Sequence, residues 1–370
     1  MKVILSAGGT MGHINPVLAI LDEIKKHENV EVLYIGTTNR MEKDIIPNLN
    51  IKYEGIEIYG LSKNIIRDIK NVYLIHKGIK RCLKIMKEFK PDIVIASGGY
   101  VTFPVVYAAS KLNIKTFIHE QNSIPGKANL LVSKYADKIG VTFKSSLKYF
   151  KNNNALYTGN PVSNKAIETK EIKRETLGLS NNKKLVTIVA GSLGSYTLNN
   201  IMKDYLKEAK DYQIVYITGK SHYKEFNEEY PSNVLIIPYM DNLPALFKTS
   251  DLVISRAGSG ALSELMALKK VSVIIPSPYV ANNHQYYNAL ELYEDGCIDM
   301  LDENTLNKDI LNKKVDLLLN NNEERNKLIS NMNKLESSNK DIIYKIIKDM
   351  LNEWVIKIWG CFSWLLFRKI

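Results

Sequence analysis

Cysteine is scarce in this sequence: there are 3 in 370 residues, Cys82, Cys297 and Cys361, far apart and odd in number. That excludes a disulfide framework and any Cys-x-x-Cys redox or zinc site, and it suits a reducing compartment. Long apolar runs are also missing, none reaching the roughly 20 residues that a membrane helix needs. No Asp-x-Asp and no His-Glu-x-x-His occurs, so the sequence signals neither a metal-chelated diphosphate nor a zinc protease. Tryptophan is absent from the body of the chain, all 3 falling at Trp354, Trp359 and Trp364. The start, Met1-Lys2-Val3-Ile4-Leu5-Ser6-Ala7-Gly8-Gly9, reads as a buried strand entering a glycine turn; a secretory signal needs a longer apolar stretch.

What is present is ordinary soluble-protein composition, 45% hydrophobic and 24% charged, which excludes a disordered or fibrous chain. A length of 370 residues suits two domains. The net charge of +11 points to an anionic partner. Its distribution is uneven: residues 1–160 carry 23 basic and 13 acidic side chains, the remainder 27 and 26. Residues 61–87 hold eight basic residues against Asp68 alone. There Ile65, Ile66, Ile69, Val72, Tyr73, Ile75 and Ile79 interleave with Arg67, Lys70, Lys77, Lys80 and Arg81. This reads either as a surface for an anionic membrane leaflet or as an ordinary amphipathic helix. Nucleic-acid binding is disfavoured, since no recognised module accompanies the basic stretch.

Short apolar strands alternate with amphipathic helices, which predicts parallel sheets covered by helices on both faces. The first set of strands is expected at residues 3–7, 30–35, 51–58, 93–96, 116–118 and 138–141. Helices are expected at 16–26, 71–87 and 104–111, with Pro16 and Pro104 in first turns. The pattern restarts with strands at 185–190, 214–218, 234–237, 252–254 and 271–275. The polar stretch 159–173 reads as a linker and 341–353 as a late helix packing back on the first domain. Residues 354–370 read equally as an interfacial anchor or as an extension without a role.

Five motifs carry chemistry. Gly8-Gly9-Thr10-Met11-Gly12-His13 joins a strand to a helix, where backbone amides approach an anion. It lacks the Gly-x-Gly-x-x-Gly spacing and the P-loop ending, which disfavours nicotinamide and P-loop chemistry. His13 is placed as a general base or, alternatively, as a helix cap only. Ser97-Gly98-Gly99-Tyr100 and His119-Glu120-Gln121-Asn122 follow later strands and suggest the mouth of a site. Ser255-Arg256-Ala257-Gly258-Ser259-Gly260-Ala261-Leu262-Ser263-Glu264 offers helix-start amides for a diphosphate. Glu264 suits the two hydroxyls of a ribose, or is a first-turn carboxylate favoured by the helix dipole. In Asn282-Asn283-His284-Gln285-Tyr286-Tyr287-Asn288, Gln285 and Asn288 suit sugar hydroxyls.

These motifs in this order, with Gly159-Asn160-Pro161-Val162 between the halves, resemble the MurG family of bacterial peptidoglycan glycosyltransferases over roughly residues 1–350. The resemblance implies a GT-B fold, two Rossmann-like doubly wound domains facing a central cleft. It implies inverting transfer of N-acetylglucosamine from UDP-GlcNAc to the 4-hydroxyl of MurNAc in lipid I, giving lipid II. Residues 1–160 would hold the lipid acceptor and meet the membrane; residues 161–340 would hold UDP-GlcNAc. Thr10, Met11, Gly12, Asn122, Ser192, Met240, Gly258, Ser259, Gly260, Ala261, Leu262, Ser263, Glu264 and Gln285 match donor-contacting positions. Thr10, His13, Tyr100 and Asn122 match acceptor positions, with His13 and Glu264 as the catalytic pair. No cofactor or metal is implied. The implied location is the cytoplasmic face of the cell membrane, as a peripheral protein beside other cell-wall synthesis proteins, in the service of cell shape and division. Departures are Met11 for a usual glycine, Ser163 for a usual arginine, and Leu193 for a usual glutamine. They keep two alternatives open: a lipid glycosyltransferase with another acceptor, and a non-catalytic UDP-sugar-binding scaffold.

Overall fold

The computed structural model describes residues 1–60, 65–151, 154–191, 194–208, 210–335 and 341–352, with backbone alone for 65–69. Ser192, Leu193 and the segment 354–370 lie outside the described residues. The chain divides into two compact units, Met1–Pro161 with Ser338–Ile370, and Val162–Ser337.

The first unit runs β1 (Lys2–Ser6), α1 (Met11–His27), β2 (Glu31–Thr37), α2 (Glu42–Asn48), β3 (Lys52–Ile56), α3 (Ile65–Phe89), β4 (Ile93–Ala96), α4 (Thr102–Lys111), β5 (Lys115–Glu120), α5 (Lys127–Val132), β6 (Lys138–Val141) and β7 (Ala155–Tyr157). Its seven strands are ordered β3-β2-β1-β4-β5-β6-β7, and each neighbouring pair is parallel. The period of two along a strand divides β1 between two cores. Val3 and Leu5 pack with Ile14, Val17 and Leu21 of α1, and Ile4 packs with Cys82 and Met86 of α3 and Val105 of α4. Burial on both faces explains why the central strands β1 and β4 carry uninterrupted apolar runs rather than alternating ones.

Residues 342–352 form a helix whose Ile343, Ile347 and Met350 complete the α1 side of this core. Tyr344 stacks on His27 with ring centroids 4.2 Å apart. Lys348 Nζ lies 2.6 Å from the Glu28 carboxylate at the end of α1.

The second unit runs α6 (Val162–Glu168), β8 (Leu185–Val189), α7 (Tyr196–Lys207), β9 (Gln213–Ile217), β10 (Val234–Ile237), α8 (Leu243–Thr249), β11 (Leu252–Ser255), α9 (Ser259–Ala267), β12 (Ser272–Ile274), α10 (His284–Glu294), β13 (Asp299–Met300), α11 (Lys308–Asn320) and α12 (Asn322–Lys334). Its sheet is ordered β10-β9-β8-β11-β12-β13, again parallel throughout. In each sheet the strand order reverses beside the first strand, between β1 and β4 and between β8 and β11. The carboxyl ends at such a reversal are where open α/β sheets bind ligands.

Three local expectations are corrected. The stretch 159–173 is not a polar linker throughout, because Val162 and Ala166 put an apolar stripe on α6 that is buried. Pro16 is the sixth residue of α1 rather than part of its first turn. Its missing N–H leaves the Gly12 carbonyl without an intrahelical donor. The strand expected at 116–118 extends to Glu120, which draws His119 and Glu120 into the sheet.

Candidate active site

At the reversal of the first sheet, the turn after β1 and the turn after β4 are bonded together. Gly8 N donates to Gly98 O at 3.1 Å, and Ser97 Oγ donates to the His13 carbonyl. Gly99, at φ +89°, comes so close that a Cβ there would lie 2.5 Å from Gly8 O. Only glycine combines that φ with that approach.

His13 is the third residue of α1, and Thr10 occupies the N-cap. Its Nδ1 lies 3.0 Å from Gly8 O. A carbonyl can only accept, so Nδ1 carries the proton and Nε2 the lone pair. Thr10 Oγ1, at 3.5 Å from the same nitrogen, is too distant to compete. Burial first lowers the His13 pKa, partly offset by the Gly8 bond and by the charge of Glu42. The imidazole is therefore neutral near pH 7, the form a general base requires. Met11 opens α1 half-buried, against the core rather than at the open face, while Thr10 and Gly12 are exposed.

Glu42 is a residue the sequence reading missed. It opens α2 fully buried, at 0% exposure. Its carboxylate accepts from Gly9 N at 3.1 Å, Thr37 N at 3.1 Å and Thr37 Oγ1 at 2.6 Å. In sequence it is an ordinary first-turn acid; nothing nearby marks it as the floor of the glycine turn.

The group His119-Glu120-Gln121-Asn122 separates by depth. His119, Glu120 and Gln121 are buried, and Asn122 alone is partly exposed. His119 bonds through Nε2 to Gly159 O at 2.9 Å, and burial lowers its pKa to about 4. Glu120 accepts from Asn122 N at 2.8 Å, Gly126 N at 3.0 Å and Asn129 Nδ2 at 2.9 Å. Burial raises its pKa despite those bonds. These side chains are the scaffold of the loop that presents Asn122, not its mouth. Tyr100 is 53% exposed, and its ring covers Gly60, where a Cβ would lie 2.4 Å from Tyr100 Cζ.

At the reversal of the second sheet, α9 starts at Ser259 with Gly258 as N-cap. The amides of its first turn have no intrahelical acceptor. A Cβ built on Gly258 or Gly260 would meet nothing within 4 Å, so the space above this turn is open. Arg256, treated in the sequence only as part of the turn, is buried and bidentate to Glu303, both contacts at 2.9 Å. It also donates to Ser195 Oγ, the N-cap of α7. The pair thus ties the turn after β11 to the start of the helix after β8.

Glu264 is half-buried on α9. Burial raises its pKa to about 7, against a lowering by Lys165 of α6, and no hydrogen bond contributes. Ser263 Oγ donates to Ser259 O at 2.8 Å; Leu262 is fully buried and Ala261 half-buried. Ser163, where an arginine was expected, is buried with its Oγ 3.3 Å from Ser263 O. Gln285 accepts from Ser277 N at 2.9 Å, and buried Asn288 donates to Ala257 O at 3.4 Å. Met240 follows β10 half-buried.

On α3, Val72 and Tyr73 are 62% and 66% exposed beside exposed Lys70, Lys77, Lys80 and Arg81. Ile75 and Ile79 are half-buried, which narrows the apolar surface expected there. The side chains of Ile65, Ile66, Arg67 and Ile69 lie outside the described residues. Among the described residues no helix is long and apolar enough to cross a membrane.

Comparison with known proteins agrees with this architecture. The chain matches the glycosyltransferase family 28 N-terminal domain over residues 3–141 and the glycosyltransferase family 28 C-terminal domain over residues 185–346. A Halalkalibacterium halodurans protein is 41% identical over 85% of this chain and 90% of its own length. It is named UDP-N-acetylglucosamine–N-acetylmuramyl-(pentapeptide) pyrophosphoryl-undecaprenol N-acetylglucosamine transferase. A Bacillus cereus protein of the same name, numbered 1, is 42% identical over 86% of this chain and 90% of its own. The crystal structure of Acinetobacter baumannii MurG superposes with a TM-score of 0.75 at 23% identity, covering 94% of this chain and 99% of that one. This last likeness is one of fold: two parallel-sheet α/β domains of GT-B type.

Proposed function

The chain belongs to the MurG family within glycosyltransferase family 28, and on that premise we propose how its residues divide the work of the family's reaction. The protein is a hexosyltransferase. It transfers N-acetylglucosamine from UDP-GlcNAc to the MurNAc of lipid I, forming lipid II.

The second unit holds the donor. UDP places its diphosphate over the open turn at Gly258 and Gly260, against the first-turn amides of α9. Glu264, whose carboxylate has no hydrogen bond among the described residues, accepts from the ribose hydroxyls, and Gln285 addresses the sugar. The first unit holds the acceptor, with Tyr100 and Asn122 beside the turn that carries His13. The acceptor 4-hydroxyl attacks the anomeric carbon from the face opposite UDP. A C–O bond forms to the acceptor as the bond to the UDP oxygen breaks, so α becomes β. The hydroxyl proton passes to His13 Nε2, and the negative charge leaves on UDP, where the helix amides stabilise it. The observation that carries this reading is the His13 geometry: Nδ1 is committed to Gly8 O, which leaves Nε2 as the acceptor.

The exposed pair Val72 and Tyr73 among lysines supports peripheral attachment to an anionic leaflet. Each Lys or Arg near such a surface contributes about 1 kcal/mol. That would bring the enzyme to its lipid-anchored acceptor on the cytoplasmic side of the membrane.

Transfer of labelled GlcNAc from UDP-GlcNAc to a lipid I analogue tests the proposal. Turnover with that acceptor is the expected result. Transfer only to another lipid, or binding of UDP-GlcNAc without turnover, would replace it with the acceptor-variant or the scaffold reading.

A further inference from the structure

Gly8 O and Gly9 N–H belong to one peptide group. The oxygen accepts from His13 Nδ1 at 3.0 Å, and the N–H donates to Glu42 Oε2 at 3.1 Å. Carboxylate, peptide and imidazole therefore form a single chain of hydrogen bonds. A peptide N–H held by a carboxylate makes its own carbonyl a stronger acceptor, because successive hydrogen bonds polarise one another. The carboxylate is fixed from behind by Thr37, through both its amide and its hydroxyl. The turn lies close over the carboxylate, since a Cβ on Gly8 would lie 2.8 Å from Glu42 Oε1.

We propose that Glu42 is a positioning residue for the transfer reaction, orienting His13 through the Gly8–Gly9 peptide and balancing the imidazolium formed when Nε2 takes the acceptor proton. This rests on the assignment of His13 as the base. The logic is that of a carboxylate behind a catalytic histidine, with a peptide group interposed.

The surroundings leave Glu42 this part. Tyr34 of β2 donates its hydroxyl to Ala7 O at 2.9 Å and is held neutral by burial. Tyr53 of β3 is likewise neutral, pushed up by burial and then by Glu42 and Asp44. The turn after β4 presents Ser97 and two glycines, with exposed Tyr100 beyond. Arg40, Lys43 and Asp44 face an open pocket on the outer side, with Gly9 at its edge. Glu42 is the charged group that acts on the His13 ring.

The test uses the full chain with 13C-labelled histidine. His13 is identified among the six histidines by the signal missing from His13→Ala. In Glu42→Gln the His13 titration should move to lower pH, and the acid limb of kcat/KM should move with it. The kcat should fall about tenfold or more, within the roughly 10²–10⁴-fold that a positioned base contributes. In the His13→Ala background Glu42→Gln should cost nothing further. Thr37→Val, close in shape, removes the hydroxyl donor that favours the ionised carboxylate, so it should move the titration the same way by a smaller amount; it also serves if Glu42→Gln does not fold. An unmoved titration in the folded variants overturns the proposal. A moved titration with unchanged kcat overturns the use of that charge in turnover, while His13 as base stands or falls separately on the turnover of His13→Ala.

Discussion

Glu264 sets up a conflict between stability and donor binding that can be measured. Its carboxyl titrates at about 7 rather than 4.5, because burial on α9 penalises the charged form and only Lys165 opposes it. At about 1.4 kcal/mol per pH unit, that displacement makes the ionised carboxylate cost roughly 3 kcal/mol of folding free energy at most. The sign follows from the raised folded value. Between about 4.5 and 7 the folded state holds a proton that the unfolded state has released, so this group's stabilising contribution is complete below 4.5 and lost as pH rises through 7. Glu264→Gln should therefore match wild type in urea unfolding at pH 4 and exceed it at pH 9 by up to roughly 3 kcal/mol. Donor affinity should run the other way. Ribose hydroxyls need the ionised carboxylate as acceptor, so wild-type affinity for UDP should weaken as pH falls through about 7. The Gln variant should bind weakly and lose that pH dependence. Isothermal titration with UDP at several pH values reads the second effect. Parallel stability curves for wild type and Glu264→Gln from pH 4 to 9 would refute the burial argument.

Further outcomes follow from the same geometry. His13→Ala should lower kcat by about 10²–10⁴-fold with an unchanged circular dichroism spectrum; near-normal turnover removes His13 as base. Gly98→Ala should disable the enzyme similarly, because φ is +118° and the new Cβ would lie 2.9 Å from His13 Cδ2; full activity in a transfer assay would show that the ring is free to move. Ile347→Ala, at a fully buried site on the C-terminal helix, should cost the first unit about 2–5 kcal/mol in urea unfolding. A change under about 0.5 kcal/mol, the level of a surface substitution, would mean that the helix is not part of that core. In liposome flotation, wild type should float with anionic vesicles and not with neutral ones, and Val72→Ser with Tyr73→Ser should weaken flotation. Equal, negligible binding to both vesicle types ends the membrane assignment.

The α/β class was legible because a strand buried on both faces must be a short apolar run, and such runs recur between helices of period 3.6. The glycine turns were legible for a similar reason: Gly8-Gly9 and Gly98-Gly99 stand where chain direction must change abruptly. Depth was not legible. His119, Glu120, Gln121 and Asn122 are equally polar, yet three of them lie inside, because β5 runs two residues further than its apolar core and lies between β4 and β6. Ser163 read only as a departure from a usual arginine; the fold adds that it is a buried contact between α6 and α9.

By itself the sequence determined the alternation of elements, the glycine turns and the histidine beside the first of them, since these depend on residues adjacent along the chain. Only the tertiary structure decided which turns meet at the reversal of each sheet, and that Glu42, from the start of α2, closes beneath Gly9. Strand order is set by how whole helices cover a sheet, and a buried carboxylate is recognised by its donors. Neither is written in the spacing of neighbouring residues.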